Sequence, residues 1–348
     1  MTNDEILILR GDEIQSLLEG HEHAIMDRVQ KAYEIHSRGM DVLPHSSFLR
    51  FPHDPRNRII ALPAYLGGEF GVAGIKWISS FPGNLSYGLQ RASGVVILNS
   101  MRTGRPEALL EASVINAKRT AASAALAAKY LAQPADEAVV IGCGIIGLEI
   151  IRFLKVAFPR LGRLVVYDLD AQRAVHFQRQ CLEYLGFEHV RIAAGLDSAL
   201  HAASLVALAT TAATPHIRDL SMLSPDATVL HISLRDLAPE IILSAENVVD
   251  DADHVCRAQT SLDLAQQIIG NRNFIRGNLA DLFLQNITLD GSGKLRIFSP
   301  FGLGILDLAV GSLVKELGIS RHVGTLLGSF APANMGFPQI ASARSSQS

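Results

Sequence analysis

The chain has 348 residues, 48% of them hydrophobic and 19% charged, which allows a sizeable core and excludes a largely disordered protein. A formal net charge of −3 without a long basic run argues against nucleic acid or an anionic membrane as the main partner. No stretch of ~18 apolar residues is free of charge. Met1–Arg10 lacks the pattern of a signal peptide, and Cys143, Cys181 and Cys256 have no metal-ligand spacing, so a reducing cytoplasm is the expected setting.

At ~100–200 residues per domain the length suggests two domains. Apolar positions Ile14, Leu17, Leu18, Ile25, Val29 and Ile35 predict a helix over 13–38. From about 42 to 112 the chain turns β-rich. Arg58–Leu66, Gly71–Ser80 and Ala92–Asn99 read as strands, and a tight turn at Met101–Pro106 leads into another at Glu107–Glu111. Asn116–Leu131 is dense in alanine, the best helix former, and its small side chains suit a joint between domains.

After Gln133-Pro134 the pattern alternates. Strands are predicted at Ala138–Ile141, Leu164–Tyr167, Val190–Ala193, Leu205–Thr210, Thr228–Ile232 and Val248–Val249, with helices between several of them. Such alternation implies a parallel sheet covered on both faces. Gly302–Leu317 is apolar and helical and is expected to return to the first domain, while the tail Ala341–Ser348 is expected to fray. The expected fold class is therefore α/β: a Rossmann-type doubly wound NAD domain (119–302) inserted into a β-rich α+β substrate and dimerisation domain (1–118 with 303–348).

Gly142-Cys143-Gly144-Ile145-Ile146-Gly147 matches the dinucleotide fingerprint. Its first glycine permits a tight turn, its second lets a pyrophosphate approach the backbone, and its third lets helix and strand pack closely. The following helix aims its N-terminal amides at the phosphates. A strand precedes the motif, and a second strand ends at Asp168, 21 residues past Gly147, where an acid accepts hydrogen bonds from a ribose diol and repels a 2′-phosphate. NAD is the expected cofactor, and no metal is expected: His216, His231 and His254 read as strand or loop histidines.

Beyond that motif, Glu111–Tyr130 with its Arg119-Thr120-Ala121-Ala122 core, the Thr103–Pro106 turn, the Gly74–Trp77 strand, and Ser299–Gly302 ahead of a helix carrying Asp307 resemble the ornithine cyclodeaminase/μ-crystallin family over about residues 10–330. Lys76–Pro82, Arg91–Ser93 and Ser233–Glu240 are most similar to a branch that makes 2,3-diaminopropionate for siderophores. The resemblance implies a cytoplasmic, homodimeric, NAD-dependent dehydrogenase acting on a CH–NH group. In that branch, N-(1-amino-1-carboxy-2-ethyl)-glutamate is oxidised at its secondary amine and hydrolysed to 2-oxoglutarate and 2,3-diaminopropionate.

The same resemblance implies roles for single residues. Arg119 would grip a substrate carboxylate, as guanidinium does in bidentate fashion. Lys76, inside an otherwise apolar strand, would bind a carboxylate or tune the amine's proton. Asp236 follows a strand end, where doubly wound sheets place their chemistry, and would be the acid/base of both oxidation and hydrolysis. Arg50, Arg91, Arg235 and His45 are candidates for the additional carboxylates. Thr120, Thr210, Thr211 and Ser233 are expected to line the cofactor together with Ile145 and Ile146. The strand that carries a glutamate in ornithine cyclodeaminase has Ile60 here, which weakens the case for cyclisation of ornithine. Two rival activities fit the same resemblance: a ketimine reductase or amino-acid dehydrogenase, and a non-catalytic crystallin-like binder.

Overall fold

The computed structural model describes residues 5–201, 203–289 and 293–330, so the Ala341–Ser348 tail lies outside the described residues. In chain order the elements are β1 (Ile6–Leu9), α1 (Gly11–Leu17), α2 (Glu22–Ser37), β2 (Asp41–Val42), β3 (Ser47–Phe51), β4 (Asp54–Leu66), β5 (Val72–Ser80), β6 (Ala92–Asn99), β7 (Pro106–Glu111), α3 (Ala112–Leu131), β8 (Glu137–Ile141), α4 (Ile145–Ala157), β9 (Arg163–Tyr167), α5 (Ala171–Tyr184), β10 (His189–Ile192), α6 (Leu196–Leu200), β11 (Leu205–Leu208), β12 (Thr228–His231), α7 (Pro239–Ser244), β13 (Glu246–Val249), α8 (Ala252–Val255), α9 (Ser261–Ile269), β14 (Ile275–Asn278), α10 (Leu279–Phe283), β15 (Arg296–Ser299), α11 (Gly304–Ser320) and β16 (Thr325–Leu327).

These strands form two sheets. The first runs β16-β1-β7-β6-β5-β4-β2, with β3 paired to β4, and is antiparallel except for the parallel β1–β7 pair. The second runs β10-β9-β8-β11-β12-β15-β13-β14 and is parallel throughout. The chain order reverses between β8 and β11, the crevice where a doubly wound sheet binds its ligand. Residues 137–299 supply the second sheet, while the first takes strands from both sides of that segment.

Helix α3 lies between the two sheets. The Glu111 carboxylate caps it by accepting from the Ser113 and Val114 amides, at 2.7 and 3.2 Å. Ala121, Ala122, Ala124, Ala125, Ala127 and Ala128 are all fully buried, which lets α2 and α4 approach closely. Lys118 on α3 meets Glu149 on α4 in a buried ion pair at 3.2 Å. One continuous core runs from β1 and α2 through α3 and α11 to one face of the parallel sheet, and a second core lies on that sheet's other face.

The single helix expected over 13–38 is two helices. Gly20 turns left-handed at φ +72 and breaks the run between α1 and α2. Strands β1, β2, β3, β14, β15 and β16 go beyond the sequence expectations. Each spans two to five residues, too short for a period to register. Among the described residues, no helix is long and apolar enough to cross a membrane.

Candidate active site

The glycine loop closes the end of β8. Gly142 sits at φ +97, and a Cβ there would stand 2.5 Å from the Ala209 carbonyl oxygen. A Cβ on Gly147 would stand 2.5 Å from the Gly142 oxygen, yet nothing lies within 4 Å of one on Gly144. Gly142 and Gly147 therefore serve close packing, and Gly144 leaves open backbone at the start of α4, where amides would face a phosphate. Asp168 Oδ2 accepts from the Cys143 amide at 2.8 Å, which aims the carboxylate at the loop. Arg173 stands 3.4 Å from Asp168 Oδ1. Ile145 is exposed in the first turn of α4, and Ile146 is half-buried against the core. These residues fit a dinucleotide: the Gly142–Gly147 backbone would hold its pyrophosphate and Asp168 its adenosine ribose. When bound, NAD supplies the hydride acceptor.

A buried polar group lies where α3, α11 and β5 meet. Lys76 Nζ stands 2.7 Å from Asp307 Oδ2, close as an ion pair but not aligned as a hydrogen bond. Arg119 Nε donates to Asp307 Oδ1 at 3.1 Å. Asn116 Oδ1 accepts from both cations, from Lys76 Nζ at 2.9 Å and from Arg119 Nη2 at 2.7 Å. The Arg119 guanidinium packs on Gly302, where a Cβ would stand 2.6 Å from Nη1. Gly302 is held at φ +91 while its amide and that of Phe301 donate to Asp250. Burial and the nearby Arg119 bring the Lys76 ammonium down to about 8 against the pull of Asp307, so it can exchange a proton near neutral pH.

A second cationic group lies farther along the same sheet face. Side chains alternate across a strand, so Lys76, Ile78 and Ser80 of β5 share a face with their register partners Leu62, Ile60 and Arg58 of β4. Arg50 on β3 is the register partner of Arg58. Arg91 Nη1 donates to Ser80 Oγ at 2.9 Å, and Arg235 Nη2 donates to the Ala258 carbonyl at 2.7 Å. Burial, then the charges of Arg235, Arg91 and Arg50, hold Arg58 below its ordinary basicity, and its buried Nε has no hydrogen-bond partner. Burial likewise lowers Arg91, and burial followed by Arg50 lowers Arg235, whose one opposing influence is Asp236.

Asp236 is fully buried. Its carboxylate accepts hydrogen bonds from the Thr210 and Ser233 hydroxyls and lies 3.4 Å from His231 Nε2. Burial raises its affinity for a proton, but these contacts outweigh it and leave the group below the usual carboxylate range. Thr120 also donates within its own chain, to the Asn116 carbonyl at 2.6 Å. Thr211 is exposed on the loop after β11. His45 is exposed, with its ring 5.0 Å from that of His254.

The structure thus brings Lys76 together with Arg119, and Arg50 with Arg91 and Arg235. Asp236 belongs to a separate hydrogen-bonded set with Thr210 and Ser233. Asn116 and Arg58 escape the sequence expectations. Asn116 lies one helical turn before Arg119, so spacing could have flagged it, and Arg58 shares the parity of Ile60 but needs the strand register to stand out. Among the described residues, no three His, Cys, Asp or Glu side chains gather as a metal site.

The chain belongs to the ornithine cyclodeaminase/mu-crystallin family, whose model matches residues 7–317. With this cradle and these cations, it is an NAD-dependent oxidoreductase acting on a CH–NH bond. It is 29% identical over 343 residues to N-((2S)-2-amino-2-carboxyethyl)-L-glutamate dehydrogenase of Staphylococcus aureus, covering 93% of this chain and 99% of that one. An archaeal alanine dehydrogenase dimer with bound NAD is similar at 26% identity, with a TM-score of 0.84 over 94% of this chain and 100% of that one. Delta(1)-pyrroline-2-carboxylate reductase of Thermococcus litoralis, solved with NADH and L-proline, shares the fold at 22% identity, with a TM-score of 0.86 over 92% and 99% of the two chains.

Proposed function

We propose that the protein catalyses NAD-dependent oxidative hydrolysis of N-(1-amino-1-carboxy-2-ethyl)-glutamate to 2-oxoglutarate and L-2,3-diaminopropionate, feeding siderophore or related secondary-metabolite synthesis. One observation carries this reading: a single sheet face presents cations at both ends, Lys76 with Arg119 at one and four arginines at the other, with Ile60 and Ile78 between. Lys76 and Ser80 are four residues apart, about 13 Å along the strand. Such a face suits an elongated substrate with carboxylates at both ends and an uncharged reacting centre. A substrate with one carboxylate, such as alanine or proline, leaves the arginine end unused. Ile60 offers no acid for the terminal ammonium of ornithine.

Arg119 holds one carboxylate through the guanidinium edge not engaged by Asp307, and Lys76 exchanges the proton of the substrate amine. Arg50, Arg58, Arg91 and Arg235 hold the far carboxylates, and His45 stands at the rim. Asp236 reaches the site through the hydroxyls of Thr210 and Ser233, so a proton it exchanges passes through one of them. The outer face of the antiparallel sheet exposes Leu49 and Trp77, where a second copy of the chain would pack as a homodimer.

The test is NADH absorbance with purified protein, NAD and the synthetic glutamate-derived amine, beside L-ornithine, L-alanine and L-proline. Stoichiometric NADH and 2-oxoglutarate are expected from the first compound alone. Ammonia and proline from ornithine without net NADH would replace this reading with cyclodeamination. Sedimentation of the same preparation reports whether it is a dimer.

A further inference from the structure

In the sequence His254 reads as a loop histidine, but its surroundings are those of a working base. It sits on α8, at the C-terminal edge of the parallel sheet after β13. Asp251 Oδ1 accepts from the His254 backbone amide at 2.8 Å and lies 2.9 Å from its Nδ1. Nε2 is then the free ring position, and it is buried with no hydrogen-bond partner. The residue as a whole is 6% exposed. A buried polar nitrogen without a partner costs stability, so its retention needs a reason.

The ring neighbours tie it to the candidate site. His45 lies 5.0 Å and Phe301 6.3 Å from it, centroid to centroid, and Phe301 adjoins the Gly302 on which Arg119 packs. Four residues on, the Ala258 carbonyl holds Arg235. His254 is thus linked to the inner group through Phe301 and Gly302, and its own segment runs on to the carbonyl that holds Arg235 of the outer group.

The orienting acid is itself fixed. Asp251 Oδ2 lies 3.2 Å from His36 Nε2, and His36 Nδ1 lies 2.9 Å from Asp41. An aspartate that fixes one ring nitrogen and leaves the other without a partner is the arrangement that makes histidine a base.

We propose that His254 is a catalytic residue that carries the protons of the hydrolytic half-reaction, with Asp251 as its positioning residue; this rests on the function proposed above. Oxidation leaves a C=N bond. As water attacks, a C–O bond forms to the former amine carbon, one O–H bond breaks, and Nε2 takes that proton and passes it to nitrogen. As the carbinolamine collapses, C–N breaks, C=O forms, and Nε2 moves the second O–H proton to the departing amine. Both protons of water end on nitrogen, so a single shuttling base suffices.

The experiment compares His254→Gln and His254→Ala with wild type, using synthetic N-(1-amino-1-carboxy-2-ethyl)-glutamate and NAD. A base of this kind contributes on the order of 10²–10⁴-fold. The expected results are a fall in kcat of at least about 100-fold, unchanged affinity for NAD, and partial rescue of His254→Ala by added imidazole. Asp251→Asn should lower kcat less. Turnover within threefold of wild type in both His254 variants would overturn the proposal, as would loss of activity that follows loss of NAD binding without imidazole rescue. If wild type is silent on this amine but turns over ornithine, alanine or proline, the proposed substrate fails. On alanine, whose imine is also hydrolysed, the same variants then decide His254; turnover confined to ornithine or proline, which needs no imine hydrolysis, overturns the His254 proposal as well. A wild type silent on all four compounds overturns both readings.

Discussion

The two cationic groups at either end of the proposed substrate face are built on opposite principles. At the inner end, Lys76 and Arg119 share one fully buried carboxylate, Asp307, and one amide oxygen, Asn116 Oδ1. One of their two charges is answered before any ligand arrives, and the amide oxygen takes a hydrogen bond from each. At the outer end Arg50 and Arg58 face each other in register, with Arg91 and Arg235 near enough to act on Arg58. Among the described residues none of these four forms an ion pair. Like charges opposite one another on a sheet destabilise it, and a buried guanidinium nitrogen without a partner adds to the cost. The inner end is tied into the structure. The outer end, on the function proposed above, holds binding capacity at the expense of structure.

That contrast predicts opposite signs for two substitutions. Asp307→Asn, the larger effect, strands two buried cations. Removing one partner of a buried pair costs about 3–5 kcal/mol, so urea unfolding should show a loss of that order together with loss of turnover. Stability equal to wild type would mean that Lys76 and Arg119 find other partners, and the inner end would no longer be pre-neutralised.

Arg58→Leu should do the reverse. Hydrogen bonds to charged groups contribute about 1.5–3 kcal/mol, so kcat/KM for the polycarboxylate amine should fall about 10–100-fold. Relief of repulsion should meanwhile raise Tm by about 1–3 °C. Turnover of any single-carboxylate amine should be untouched. A fall in Tm would show that Arg58 supports the sheet and that the outer group does not store repulsion.

Most of the frame is legible in the sequence because it is periodic. The glycine fingerprint, the alanine-rich helix and the long antiparallel strands each repeat a pattern across many residues. Ala92–Asn99 falls at the bounds expected of it, and Pro106–Glu111 within one residue. The pairings that make the site are less legible, because they join residues far apart in the chain. Lys76 meets Asn116 across 40 positions and Arg119 meets Asp307 across 188. Arg58 reads as an ordinary strand arginine until register places it opposite both Arg50 and Ser80. Asp236 stands at the expected strand end, but nothing in its local sequence announces that Thr210, 26 residues earlier, takes up its carboxylate. His254 gives no signal in the sequence because its partner Asp251 has meaning only once His36 is seen on the other side.

His36 supplies an intermediate case, a cation answered by two acids outside the substrate face. Burial opposes its charge, but hydrogen bonds to Asp251 and Asp41 outweigh burial and raise it to about 9. A histidine raised above its unfolded value of about 6.5 contributes stability that is fully present below that pH. The contribution shrinks as pH climbs and is lost through about 9. It amounts to at most about 3 kcal/mol, since part of the ring meets solvent. Asp251 is depressed by its hydrogen bonds to His254 and His36 against burial, and so guards the opposite flank: its share is present above the usual carboxylate range and lost as pH falls through its lowered value. Wild type should therefore lose a few degrees of Tm between pH 6.5 and 9, and His36→Gln should be less stable at pH 6.5 but should not share that decline. Lys76 regains stability as pH rises from about 8 toward its unfolded value, so the wild-type curve alone mixes two opposing slopes. The difference between wild type and His36→Gln isolates the histidine. A difference that stays constant from pH 6.5 to 9 would mean that His36 is held by packing, and that its two acids answer no charge.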